Sequence, residues 1–270
     1  MPIKDILVYV DNDRACGNRV RAASDLCNEF GAHLAGVYAE RKVVVPAYAG
    51  VHIPENVFEI TDKETRELRE GAQSEFMECS TLNRTAPEFR VADLDVVAAL
   101  NVQSRYADLV VAPQPVAERD DLNFRYDLPA LLIGSASPVL MVPPQGLHDY
   151  PPRHAMLAWD GGRESARAFH AALPLLNKLD QLDIVSVGGH QIESTDLAHH
   201  AARHNLNVEV HAFDCARFDV ERTLLDATVS LGSDLLVMGA YGHSRIREVI
   251  LGGATHHVLH NAGLPVLFTH

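Results

Sequence analysis

The sequence is poor in the residues that mark several broad classes of protein. It has four cysteines in 270 residues, and Cys16, Cys27, Cys79 and Cys215 form neither a CxxC pair nor a regular ladder. That excludes a disulfide-stapled scaffold and reads as the reduced thiols of a cytoplasmic protein. Positive charge is also short: 23 Lys and Arg stand against 36 Asp and Glu, a formal net charge of −13. A protein whose main partner is nucleic acid or an anionic membrane surface needs a concentrated cationic footprint, and this balance does not supply one. No run approaches the about 18 apolar residues of a transmembrane helix. The opening MPIKDILVYV lacks the apolar core and small-residue cleavage site of a secretory leader. Walker A, GxGxxG, HExxH and GxSxG patterns are all missing.

What is present is a repeat. Residues 3–11 (IKDILVYVD) and 152–160 (PRHAMLAWD) are short apolar runs ending in Asp, 149 residues apart. ADLVVAP (107–113) returns as SDLLVMG (233–239), and SPVLMVP (137–143) as LPVLFTH (264–270), at offsets of 126 and 127. Three ordered matches make two copies of one unit. The longer first offset puts extra residues in the first copy, where 41–60 (RKVVVPAYAGVHIPENVFEI) stands as an apolar, Pro-interrupted insertion expected to pack over the crevice of the first domain, against a partner subunit, or as an ordinary surface loop on its own domain. Between the copies VPPQGLHDYPPR (142–153) carries four prolines and a glycine and reads as a linker. The expected domains are 1–145 and 152–270.

Each copy alternates strand and helix. In the second, HAMLAWD is a strand and RESARAFHAALPLL a helix with Glu164 and Ser165 in its first turn. QLDIVSV is a strand, and STDLAHHAARHN a helix with Ser194 as N-cap. NVEVHAF follows as a strand, then DVERTLLDATVSLG as a helix closed by Gly232, and DLLVMG and PVLFTH as the last strands. Runs such as ILVYV, DLLVM and PVLMV are apolar throughout, the mark of parallel strands buried on both faces. The fold class is α/β: two tandem five-stranded, doubly wound parallel sheets.

The segment MGAYGHSRIREVILGGATHHVLHNA (238–262) carries the chemistry. Gly239, Gly242, Gly252 and Gly253 fall between a buried strand and a helix, where backbone N–H groups and a helix N-terminus can hold phosphate oxygens. The spacing Gly239-x2-Gly242-x9-Gly252 resembles the nucleotide motif of the universal stress protein family, and DLLVMGAYGHSR with LGG and LPVLF is similar to that family across the last third of the chain. The tandem layout resembles its two-domain members. The resemblance implies a Rossmann-like sheet of order 3-2-1-4-5 and an adenine nucleotide, ATP with or without Mg²⁺, as a regulatory ligand. Strands 1 and 4 are then neighbours whose connections leave in opposite directions, opening a crevice at their carboxyl ends. By resemblance Asp160 and Val187 meet the adenine, Gly239 and Gly242 the ribose and inner phosphates, and Gly252 and Gly253 the outer phosphates. His243 and Arg245 add positive charge. The family motif has Ser or Thr after its third glycine; here that position is Gly253, and Thr255, two residues on, offers another hydroxyl.

The first copy departs from this pattern. PQPVAERDD (113–121) replaces the glycine loop, Pro113 and Pro115 have no N–H to offer a phosphate, and Glu118, Asp120 and Asp121 repel one. Asp11 survives at its strand end, so the first domain reads as structural. Two other readings compete with the nucleotide: an interaction module that pairs through its fifth strands, as a homodimer or between its own domains, and a slow ATPase. No residue stands out as a general base, so no catalytic residue is assigned. The 15 histidines include the i,i+4 pairs His200/His204 and His256/His260; neither has further ligands at metal spacing, and both are read as solvated helix faces. Cys16 and Cys27 share one face of the first helix and read as core.

Overall fold

Parallel strands covered on both faces have to be apolar along their whole length, and the chain supplies ten short runs from which to build them. In the structure, a computed structural model that describes residues 2–40, 55–115, 126–147, 152–188, 191–214, 220–241 and 253–270, these runs make a single ten-stranded sheet. The first half runs β1 (Asp5–Val10), α1 (Cys16–Phe30), β2 (His33–Ala39), α2 (Glu55–Cys79), β3 (Glu88–Ala92), α3 (Val96–Gln103), β4 (Leu109–Pro113), α4 (Leu128–Gly134) and β5 (Val139–Val142). The second repeats the plan: β6 (His154–Ala158), α5 (Arg163–Leu176), β7 (Gln181–Val187), α6 (Gln191–Arg203), β8 (Val208–Phe213), α7 (Val220–Leu231), β9 (Leu235–Gly239), α8 (Gly253–Asn261) and β10 (Val266–Thr269).

The strand order is β3-β2-β1-β4-β5-β10-β9-β6-β7-β8, which is 3-2-1-4-5 read inward from either edge. Neighbours within each half are parallel. At the centre β5 and β10 pair antiparallel, with Leu140 opposite Leu267. The fifth strands therefore pair with one another inside the chain. Antiparallel joining turns one half by 180° relative to the other, so the carboxyl ends of their strands point to opposite ends of the sheet. Further links cross the join, among them the Lys178–Glu29 pair at 2.7 Å and the hydrogen bonds that the Gln114 and Gln145 amides donate to the Ala262 and Gly263 carbonyls, at 2.9 and 3.0 Å.

One face of the sheet is covered by α1, α2, α5 and α6, which bury Val20, Phe76, Phe169 and Leu197 against it. The other is covered by α3, α4, α7 and α8 through Leu100, Leu131, Leu224 and Val258. Helix ends follow local chemistry. Gly31 and Gly232 close α1 and α7 in the left-handed region, at φ of 62° and 68°, which a residue without Cβ adopts most readily. The Asp95 and Asp127 side chains cap α3 and α4 by accepting from Ala98 and Ala130 N–H. Ser194 does not cap α6: the helix starts at Gln191 and Ser194 is buried within it, because its small side chain fits against the sheet as well as at a helix start. The longer first copy is also explained in part. From Glu55 onward the insertion is the start of the 25-residue helix α2; residues 41–54 lie outside the described residues, and with them the idea that the segment covers the first crevice.

Cys16 and Cys27 are buried on α1. Burial pushes both thiols up to about 12; at Cys16 the nearby Arg19 guanidinium opposes that rise without cancelling it. A rise from 9.0 to about 12 lowers the thiolate fraction about 1000-fold at neutral pH. Native protein treated with a thiol reagent at pH 8 should therefore leave Cys16 and Cys27 unmodified until denaturant is added, as peptide mass mapping will show. Rapid native labelling of either would contradict the packing of α1.

Candidate functional site

β6 is followed by α5 on one face, whereas β9 leads towards α8 on the other, although β6 and β9 are paired in parallel with Leu157 opposite Val237. Two adjacent strands whose connections part to opposite faces leave a crevice at their carboxyl ends. Asp160, Val187 and Gly239 are brought together there, at the ends of the neighbouring strands β6, β7 and β9.

Asp160 is half-buried, and its carboxylate organises the turn into α5. Oδ1 accepts from Gly162 N–H at 2.8 Å and from Ser165 Oγ at 2.6 Å, an aspartate turn of the kind that leads chains into helices. Gly161 makes the turn possible at φ 72°. Beside it, Trp159 N–H donates to Val185 at 2.8 Å, and its indole Nε1 is buried with no hydrogen-bond partner among the described residues. Glu164, in the first turn of α5, is buried. Burial drives its carboxyl up, but the Arg163 hydrogen bonds, a backbone hydrogen bond and the Arg163 charge together outweigh that, and it ends below the usual carboxylate value.

Gly239 ends β9 pressed onto that same turn. A Cβ built on it would sit 2.5 Å from the Glu164 carbonyl carbon and 2.7 Å from Ser165 N. The requirement for glycine at 239 thus comes from strand–helix contact. Beyond it, Ala240 N–H donates to Thr269 and Tyr241 takes φ 60°, a conformation uncommon for a residue with a Cβ and one often met at ligand loops. Burial and the Asp127 carboxylate push its phenol up to about 12. Gly242, His243, Arg245 and Gly252 lie outside the described residues. Gly253 is the first residue of α8 and Thr255 is buried in its first turn.

The corresponding crevice of the first half is occupied from within. Arg19 on α1 is buried, with Nη2 2.9 Å from Asp11 Oδ1 and Nε donating to the Tyr9 carbonyl at 2.7 Å. Its guanidinium also lies 5.4 Å from the Tyr9 ring centre. Asp11 and Asp160 occupy equivalent positions, and Arg19 corresponds to Ala168, eight residues on from each. The remaining cavity, about 310 Å³, is lined partly by Pro113, Pro143 and Pro144, none of which has an N–H. The acidic run 118–121 lies outside the described residues. Sequence reading missed Arg19 because an arginine on a helix ordinarily points to solvent.

Residues 183–270 match the family model of the universal stress protein family. A curated universal stress protein from Synechocystis sp. is 34% identical over 123 residues, covering 42% of this chain and 40% of that protein, so the match spans less than half the length of the relative. Residues 183–270 carry a universal stress protein domain. The family match lies in the second half, and the likeness of fold extends through the first. A universal stress protein from Archaeoglobus fulgidus superposes with a TM-score of 0.70 at 16% identity, over 98% of this chain and 97% of that one. A functionally unknown protein from Pseudomonas aeruginosa gives 0.62 at 16% identity, over 99% and 92%. At such identity the two structures establish shared architecture alone.

One of the two histidine pairs departs from expectation. His200 and His204 are half-buried, with rings 4.9 Å apart, and they pack on Phe169 and beside His170 of α5. They form an aromatic contact between α5 and α6 in place of a solvated face. Burial, then the neighbouring His204 and His170, holds His200 below the ordinary imidazole value. His256 and His260 are exposed on α8, as read from the sequence. A third group went unseen: His154, Asp183, Glu209 and His211 converge on one face of β6–β8. Its local trace is Glu-Val-His at 209–211, an i,i+2 pair on an alternating strand.

Proposed function

We propose that the second half binds an adenine nucleotide, ATP with Mg²⁺, in the crevice between β6 and β9, as a regulatory ligand, and that the first half is a structural domain. The observation that carries this reading is the contrast between the crevices: Asp11 is held by Arg19, whereas the second half has Ala168 at the position equivalent to Arg19 and Asp160 stands beside the strand end that opens the glycine loop. Asp160 and Val187 would line the base and Gly239 the ribose. Gly242, His243, Arg245, Gly252, Gly253 and Thr255 would surround the phosphates, with α8 presenting its N-terminus to them. The proposed domains are 1–145 and 152–270.

Isothermal titration of the full chain tests this. Mg-ATP should bind at one site and change the fluorescence of Trp159, the chain's single tryptophan, and Gly242→Asp should weaken it more than about 10-fold by placing a carboxylate among phosphates. The ligand panel includes cAMP, with which a universal stress protein has been solved in complex. No heat and no thermal shift at millimolar Mg-ATP would leave the alternative, a domain-pairing module without a ligand. Gly239 does not discriminate between the two, because packing alone demands a glycine there.

A further inference from the structure

We propose that Asp183, Glu209 and His211 bind a divalent transition-metal ion of the zinc type, at the amino-terminal end of β6–β8, with His154 holding the second oxygen of Asp183. The four residues come from three adjacent strands and share one face. Asp183 lies opposite Glu209 in the β7–β8 register, His211 is two residues on from Glu209, and His154 lies opposite Gln181, two residues before Asp183. Side chains two apart project to the same side. About 13 Å of strand separates Asp183 from Val187, so this site is distinct from the nucleotide crevice and stands or falls separately from it.

The donor atoms already converge. Asp183 is fully buried. Its Oδ2 is 2.5 Å from His154 Nε2, and its Oδ1 is 3.2 Å from His211 Nε2. Glu209 Oε2 is 3.8 Å from the same His211 nitrogen. Ligand atoms of Asp183, Glu209 and His211 all lie within 4.8 Å of one another. Hydrogen bonding among Asp183, the two imidazoles and the Gln181 amide, 3.0 Å from Oδ1, would account for a buried aspartate alone. Glu209, a second carboxylate directly opposite Asp183 and 3.8 Å from His211, adds a like charge across the strand pair, which a cation between them would offset.

One imidazole and two carboxylates match the borderline preference of zinc, and three protein donors leave a fourth, tetrahedral position for water. Bonds of about 2.0–2.1 Å set neighbouring ligand atoms about 3.3 Å apart, so the three donors close in slightly from within 4.8 Å of one another, while His154, 2.5 Å from Oδ2, orients the Asp183 carboxylate. The supporting shell is present: both oxygens of Asp234 accept from the backbone N–H groups of Arg153 and His154, at 2.8 and 3.0 Å, fixing the strand that carries His154. The ion would tie the edge strand β8 to β7, with β6 joined through the His154 contact to Asp183.

Cobalt and zinc binding by the full chain, after removal of bound metal with a chelator, tests the site. Cobalt should give the intense visible bands of four-coordinate nitrogen–oxygen ligation at one equivalent, displaced by zinc. His211→Asn should weaken zinc by more than the about 10–100-fold that loss of a merely orienting partner costs, while His256→Ala/His260→Ala leaves it unchanged. Glu209→Gln, at an exposed side chain, gives the same reading should His211→Asn disturb the fold. Absence of the cobalt bands, or metal binding that disappears with His256 and His260 instead of with His211 and Glu209, overturns the proposal.

Discussion

Gly239→Ala is expected to cost about 3 kcal/mol of stability and to lower Tm by roughly 6–12 °C. The added methyl would meet the Glu164 carbonyl carbon at 2.5 Å, Glu164 Cβ at 2.7 Å and Ser165 N at 2.7 Å. Two of these atoms are backbone in the first turn of α5, so relief requires moving the helix. That turn is fixed by the hydrogen bonds from Gly162 and Ser165 to Asp160, and α5 buries Ala168, Phe169, Ala172, Leu175 and Leu176 in the core, so a shift spreads into packing. Thermal melts of the two glycine variants separate their roles. Gly239→Ala should lower the melting point with or without nucleotide, whereas Gly242→Asp should melt with the parent in the absence of ligand and lose only the nucleotide-dependent rise. A Gly239→Ala protein that melts with the parent would show that the strand–helix contact is loose. Of two glycines in one sequence motif, one is thus demanded by packing and the other proposed for the ligand.

How far the sequence could be read follows from which signals are local. Strands buried on both faces show as continuous apolar runs, so β1, β4, β5, β9 and β10 were legible at once, and repetition of three such runs revealed the tandem plan. Gly232 announced the end of α7 because closing a helix in the left-handed region has few solutions. Ser194 misled because Ser serves equally as a cap or as a small interior residue, and only the burial of its helix separates the two. The site residues that emerged late are non-local. His154, Asp183 and His211 lie 29 and 28 residues apart in sequence and meet only because β7 lies between β6 and β8. Arg19 looks like one more helix-surface cation until the fold brings it beneath Tyr9 and against Asp11. The glycine loop was the reverse case: its spacing was the clearest signal in the chain, and the residues it singles out at 242–252 lie outside the described part of the structure.

Arg19→Met is expected to destabilise the protein by about 3–5 kcal/mol, because removing one partner of a buried ion pair leaves the other charged and unpaired. Arg19 and Asp11 are 2% and 6% exposed. Asp11 Oδ2 already has no hydrogen-bond partner among the described residues, so without Arg19 the carboxylate retains only Oδ1, which accepts from Asp13 N–H at 3.1 Å. Denaturant titration should show the loss, and the Arg19→Met/Asp11→Leu double variant should recover most of it, since an apolar pair of similar volume avoids the desolvation that the ion pair has to offset. The single variant also tests why the first half is structural. With Arg19 gone the crevice beside Asp11 is open, but its rim still presents Pro113, Pro143 and Pro144, which have no N–H for a phosphate. Nucleotide stoichiometry should therefore stay at one per chain in Arg19→Met, which keeps Asp11. A second equivalent of Mg-ATP would mean that Arg19 alone closed the first crevice, and that the proline loop is no barrier to a ligand there.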